Sequence, residues 1–251
     1  MNSAAPAIVI TGGSRGIGAA TAKLAAGQGY RVAIAFRADR SAADDVLRAI
    51  EAAGSEGVAV QCDVASETDV ERLFATVERQ LGPPRALVNN AAVLDRQMAV
   101  AEMRAERIIR TLAVNVLGPF LCAREAVRRM STARGGAGGA IVNISSIAAQ
   151  YGSPREYVDY AASKGALESF TVGLAREVAE EGIRVNGVRV GHVYTDIHAS
   201  GGEPDRVDRV KGLIPMKRGG QPEEVARAVL WLLSDEASYC TGTFLDVAGG
   251  R

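Results

Sequence analysis

Thr11-Gly12-Gly13-Ser14-Arg15-Gly16-Ile17-Gly18 follows the apolar run Ala7-Ile8-Val9-Ile10 and opens into a helical stretch, residues 16–28. A strand that ends in glycines and turns directly into a helix lets backbone N–H groups approach a pyrophosphate. The first helical turn then adds positive partial charge. The spacing T-G-x-x-x-G-x-G departs from the G-x-G-x-x-G fingerprint. No Lys-Ser or Lys-Thr follows the last glycine, as a P-loop requires. Residues 12–16 also satisfy G-x-S-x-G, the nucleophile elbow of serine hydrolases, with Ser14 as nucleophile and His192 or His198 as its partner. An elbow on the first strand leaves no earlier strand to donate the second oxyanion N–H, and neither histidine has independent support.

Outward from this turn, short β-branched runs at 31–36, 58–63, 86–89, 140–145, 184–190 and 243–246 alternate with helical segments. These helices fall at 41–53, 67–81, about 102–129, 156–181 and 222–234. Apolar strands each followed by a helix predict an α/β fold with a parallel sheet covered on both faces. No linker interrupts the alternation, so the chain reads as one domain spanning 1–251. The stretch 191–220, with Gly201-Gly202, Pro204 and Pro215, has no clear period and reads as a substrate lid.

The 251 residues carry 29 Lys+Arg against 29 Asp+Glu, so formal charge is zero. That leaves no surplus of cations to hold a nucleic-acid backbone as main ligand. Cys62, Cys122 and Cys240 lie far apart without metal-ligand spacing, which predicts no metal site and a reducing, cytoplasmic location. No apolar run is long enough to span a membrane. The N-terminal MNSAAPAIVI lacks the basic start of a secretory leader.

Tyr160-Ala161-Ala162-Ser163-Lys164 sits in a segment whose Leu167, Phe170, Leu174 and Val178 recur at helical spacing. Tyr160 and Lys164 are four apart, so they share a helix face. A phenol with an ordinary pKa of about 10 exchanges protons poorly at neutral pH, whereas a neighbouring ammonium lowers that value. Such a tyrosine serves as a general acid or base. An ordinary surface pair has the same spacing.

The glycine turn, Asn89-Asn90-Ala91-Ala92, Asn115, Ser145-Ser146 and Tyr160/Lys164 follow one another in an order that resembles the short-chain dehydrogenase/reductase family, in its branch of about 250 residues. The resemblance runs from Ile8 to Gly249-Gly250. It implies a single Rossmann-type, doubly wound parallel sheet of about seven strands. It also implies oxidoreductase activity toward a small-molecule carbonyl or secondary alcohol, and a homo-oligomer (tetramer or dimer) formed through the long helices and C-terminal strand. It assigns Tyr160 as proton donor or acceptor and Lys164 as the group that holds the nicotinamide ribose and lowers the tyrosine pKa. Ser146 is assigned to the substrate oxygen. Asn115 is assigned to a helix irregularity and a water leading to Lys164. The cofactor envelope it implies comprises Gly12, Ser14, Arg15, Gly16, Ile17, Gly18, Arg37, Asp63, Val64, Asn90, Ala91, Tyr160, Lys164, Gly191, Val193 and Thr195. Ala92 and Val190 depart from the glycine and proline usual in the family. A nicotinamide-binding regulator on the same fold is the second reading; it predicts disrupted catalytic residues, and all four are present.

NAD-specific enzymes of this fold place an acidic residue at the end of strand two. Here Phe36-Arg37 occupies that place, with Arg40 close by and Asp39 beyond the strand end. Arg15, by the same resemblance, points to this region. Guanidinium groups suit a 2′-phosphate, so NADP(H) is expected before NAD(H). The substrate end is expected to be framed by Val93-Leu94, Gln150-Tyr151, Arg155, Tyr157, Val190-Gly191 and the lid.

Overall fold

Ala7 and Val9 of β1 (Ala7–Thr11) face one side of the sheet while Ile8 and Ile10 face the other, and all four are fully buried. A strand apolar on both faces is stable only between two layers of helix. The computed structural model describes residues 5–251, so the first four positions of the N-terminal stretch read above lie outside it.

Successive units follow β1: α1 (Gly16–Gly27), β2 (Arg31–Phe36), α2 (Arg40–Ala52), β3 (Gly57–Gln61), α3 (Glu67–Leu81) and β4 (Pro84–Asn89). Then come α4 (Ala105–Leu112), α5 (Gly118–Met130), β5 (Gly139–Ser146), α6 (Ala148–Tyr151), α7 (Val158–Val178) and β6 (Ile183–Val190). The chain closes with α8 (Ile197–Ser200), α9 (Arg206–Val210), α10 (Pro222–Leu233) and β7 (Phe244–Val247). All neighbouring strands pair in parallel, in the order β3-β2-β1-β4-β5-β6-β7. Helices α1, α2 and α10 pack on one face, α3, α5 and α7 on the other. This is a doubly wound Rossmann-type sheet. Strand order reverses between β1 and β4, which opens a crevice at their carboxyl ends.

Where a single helix was expected over 102–129, the chain forms α4, a π turn at Ala113–Leu117, and α5. Pro119 gives the reason. It has no N–H for the carbonyl of Asn115 four residues back, and its ring would strike that oxygen, so the helix widens there. The stretch 191–220 also differs from the expected unpatterned loop. It contains α8 and α9, too short to show a period in sequence. A parallel bridge between Val193 and Gly220 ties its two ends together.

Candidate active site

The crevice is a cavity of about 1210 Å³ that runs from the β2–α2 turn, across the ends of β1 and β4, to the lid. Its floor at one end is the glycine turn. Gly12 and Gly16 have φ of +62° and +54°, conformations that favour glycine. A Cβ on Gly16 would press on Thr195 Cγ2 at 3.3 Å, so the first residues of the 191–220 stretch sit directly against the turn. Gly18 faces the opposite way. A Cβ there would overlap the Gly12 carbonyl and come within 2.6 Å of Asn90 Nδ2. No side chain caps α1 and no acidic residue lies in its first turn, so its N-terminal N–H groups keep their affinity for an anion.

Thr11 and Asn90 lock the ends of β1 and β4 together. Thr11 Oγ1 accepts from the N–H groups of Asn90 and Ala91, both at 3.0 Å, while Asn90 Nδ2 donates to the carbonyls of Thr11 (2.9 Å) and Gly12 (3.0 Å). Asp63 Oδ1 accepts from the Ala65 N–H and its Oδ2 lies 3.6 Å from Arg37 Nε. Asp39, beyond the end of β2, lines the cavity and also caps α2 by accepting from the Ala42 N–H at 2.9 Å. Arg40 is held by Asp44. Arg15 and Arg37 both line the cavity; Arg37 is already shared with Asp63.

At the far end, β5 delivers two serines in opposite directions. Ser145 donates to Glu168 Oε1 (2.9 Å), which Arg189 grips through two nitrogens. Ser146 donates to the Val190 carbonyl at 3.4 Å, accepts from the Ala148 N–H at 3.1 Å, and lines the cavity beside Tyr160. Lys164 Nζ donates to the Ile144 carbonyl at 2.6 Å and lies 5.5 Å from the centre of the Tyr160 ring. Burial pushes Tyr160 up to about 12, eased only by nearby Ser146, and burial brings Lys164 down to about 8. Burial thus dominates at the phenol, while the Lys164 ammonium is directed to the strand carbonyl.

Asn115 does not reach the cavity. Its Oδ1 accepts from the Val93 N–H at 2.8 Å, and its Nδ2 donates to the Val93 carbonyl and to Ser163 Oγ. It thereby pins the loop after β4 to both the π turn and α7. Gly18 likewise lies behind the wall, whereas Gly12, Ser14, Arg15, Gly16, Ile17, Arg37, Asp63, Val64, Asn90, Ala91, Gly191, Val193 and Thr195 line it. Gln150 and Arg155, expected to frame the substrate end, are exposed and outside the lining. The short α6 ends at Tyr151, and Arg155, with φ +62°, is in a tight turn that presents Ser153, Pro154 and Glu156 instead. Arg206, His198 and Arg251 complete this wall. No sequence pattern marks them, because the lid and C-terminal segment carry them there through tertiary packing.

Ser14 has no hydrogen bond to either histidine among the described residues. His198 Nε2 lies 3.0 Å from the Val193 carbonyl, and His192 Nδ1 is buried without a partner. The hydrolase reading thus lacks its base.

A family model described as Enoyl-(Acyl carrier protein) reductase matches residues 12–251. The uncharacterized oxidoreductase YgfF of Escherichia coli (strain K12) is 56% identical over 97% of this chain and 98% of its own length. Carbonyl reductase family member 4 of Danio rerio is 40% identical, covering 96% of each chain. A blue fluorescent protein from a metagenomic library, solved in complex with NADPH, superposes with a TM-score of 0.89 at 32% identity, over 98% of this chain and 97% of that one. With its doubly wound sheet and this cavity, the chain belongs to the short-chain dehydrogenase/reductase family. It is an oxidoreductase of that type, which uses a nicotinamide cofactor and acts on a small molecule.

Proposed function

We propose that the protein is an NADP(H)-dependent oxidoreductase that interconverts a carbonyl and a secondary alcohol, with Tyr160 as general acid and base. The observation that carries this reading is that Tyr160, Ser146 and Lys164 line the same cavity as the glycine turn. Positive-φ glycines, an uncapped helix start and a continuous cleft fit a dinucleotide. When bound, that cofactor supplies or accepts a hydride.

This chain's residues handle the oxygen and the proton. In reduction Tyr160 gives its phenolic proton to the substrate oxygen while Ser146 donates a hydrogen bond to it; in oxidation Tyr160 takes the proton back. Lys164 holds the ribose and, as an ammonium, steadies the phenolate left behind. The carbonyl of Asn115, deprived of its helical partner by Pro119, is suited to a water that leads to Lys164. Asp63, Val64, Asn90 and Ala91 flank the adenosine half, with Gly191, Val193 and Thr195 around the nicotinamide. Cleft-lining Arg15 and Arg37, with Phe36 rather than an acidic residue at the end of β2, favour NADP(H) over NAD(H). The NADPH-bound relative is consistent with that choice.

The chain acts as one catalytic domain with residues 191–220 as its lid, and it assembles as a homo-oligomer. Exposed Ile109, Leu112 and Phe120 beside α7, together with Leu245 and Trp231 at the β7 edge, support that assembly. The buried, unpaired Cys62 and Cys122 suit a cytoplasmic location. No helix among the described residues is long and apolar enough to cross a membrane.

Assay of neutral ketones and secondary alcohols by nicotinamide absorbance tests the reading. Turnover with NADPH at roughly tenfold or more the kcat/KM seen with NADH is expected. Equal use of both cofactors overturns the preference, and binding of cofactor without any turnover favours the regulator reading.

A further inference from the structure

Helix α4 buries its polar side. Its buried residues are Arg107 and Thr111, whereas Ile109 and Leu112 on the same helix are exposed. Burial of apolar surface does not choose that face. What holds it inward is Asp159, in the first turn of α7. Arg107 donates to this carboxylate as a fork, from Nε to Oδ2 at 2.7 Å and from Nη2 to Oδ1 at 3.0 Å. Thr111 Oγ1, one turn further along α4, donates to Oδ2 at 3.4 Å. The side chains are only 9% and 3% exposed, so water does not screen the pair. Burial raises the Asp159 carboxyl, but the Arg107 hydrogen bonds outweigh it and hold the group below the usual carboxylate range. Both partners are therefore charged at neutral pH.

The fork connects two parts of the cavity without entering it, since neither Arg107 nor Asp159 is in its lining. Asp159 immediately precedes Tyr160 on α7. The remaining guanidinium nitrogen, Nη1, donates to the Arg96 carbonyl at 2.5 Å. Arg96 follows Val93, Leu94 and Asp95, all of which line the cavity. Two residues on, the Met98 N–H bonds the Glu156 carbonyl at 3.0 Å. One guanidinium thus fixes the loop after β4 relative to the first turn of α7. A buried ion pair is a poor source of stability, because desolvation cancels most of its attraction, and apolar side chains of similar volume often hold a fold as well. A planar fork supplies what apolar contacts lack, a fixed direction.

We infer that Arg107 and Asp159 are positioning residues, whose fork sets how Tyr160 meets a substrate seated against Val93 and Leu94. The inference rests on the reading of Tyr160 as the residue that moves the proton, and adds the device that aims it.

Two variants test it through reduction of ethyl acetoacetate by NADPH. Arg107→Lys keeps the charge without the fork, and the double variant Arg107→Met/Asp159→Leu removes both charges while keeping apolar packing. Both are expected to fold, with Tm within about 4 °C of the unaltered protein. In both, kcat should fall about 10- to 100-fold, while KM and the Kd for NADPH each stay within about threefold. Should the double variant not fold, Arg107→Lys decides alone. Full kcat in either folded variant overturns the inference, because charge or packing would then suffice. Tyr160→Phe in the same assay reports separately on the hydride-transfer reading, which unchanged reduction would sink. In that event a readout without turnover decides: the fluorine NMR line of Tyr160 in protein labelled with 3-fluorotyrosine, assigned by its loss in Tyr160→Phe. One narrow line is expected from the unaltered protein and a broadened or split line from both variants. A line left narrow in both would overturn the positioning role.

Discussion

The two ends of the cavity are built in different ways. The end proposed for the cofactor is made of backbone: the turn of Gly12 to Gly18, an uncapped α1, and strand ends joined by Thr11 and Asn90. The substrate end is made of side chains from five separate segments: the loop after β4, the loop around Glu156, β6, the lid and the C-terminal run. A diphosphate presents one fixed shape, so contiguous sequence suffices to cradle it. A variable substrate needs groups that substitution can change without disturbing the sheet.

Changes at the reacting centre should separate the two ends most sharply. Tyr160→Phe removes the exchangeable proton and should lower kcat about 10³-fold. Cofactor affinity, read by nicotinamide fluorescence, should stay within about threefold. Retained turnover would remove Tyr160 from the chemistry. Gly18→Val strikes the other end from behind. Its side chain would collide with Gly12 and Asn90, costing about 1–3 kcal/mol, seen as a lower Tm together with weakened cofactor binding. An unchanged Tm would show that the turn can move, contrary to the packing described.

Arg37→Gln should raise the Kd for NADPH by about tenfold and that for NADH by less than about threefold, measured by titration calorimetry. Equal weakening of both would mean that Arg37 does not meet a 2′-phosphate.

A pH profile probes the junction between the ends. Lys164, brought down by burial to about 8, is charged below that pH and neutral above it, while Tyr160, pushed up to about 12, keeps its proton throughout. Reductive kcat/KM should therefore be flat near pH 6–7 and fall about tenfold per pH unit above about 8. A profile flat to pH 10 would show that the Lys164 charge is not required.

The smallest effect is expected at the lid. Arg206 joins Glu203 within the lid to Glu156 ahead of α7, and Gln97 reaches Glu203 from the loop after β4. Arg206→Gln should raise KM by about three- to tenfold with kcat little changed, because the wall loosens while the reacting groups stay in place.

The parallel sheet was legible because each strand is a short apolar run and each helix has its own period; β1, β2 and α3 form over the residue ranges read from sequence. The interruption of the helix after β4 was half legible. Pro119 signals a break, but only the contacts of Asn115 with Val93 and Ser163 explain what the break is for. The spacing of Tyr160 and Lys164 put both on one face, yet Lys164 turns to the Ile144 carbonyl on a strand twenty residues earlier. No local pattern encodes that partner. Gln150, on the exposed side of α6, and Arg155, in a tight turn, stay out of the wall that Tyr151 and Glu156 line.

By itself, then, the sequence determined the order of strands and helices, the glycine turn, and the helix face that Tyr160 and Lys164 share. These follow from local periodicity, backbone freedom and side-chain chemistry, all written within a few residues. The tertiary structure decided which side chains meet, how burial sets the affinity of Tyr160 and Lys164 for protons, and that Arg107 reaches the carboxylate next to Tyr160. Those outcomes depend on distant segments crossing one sheet in register, where electrostatics is set by neighbours far apart in the chain.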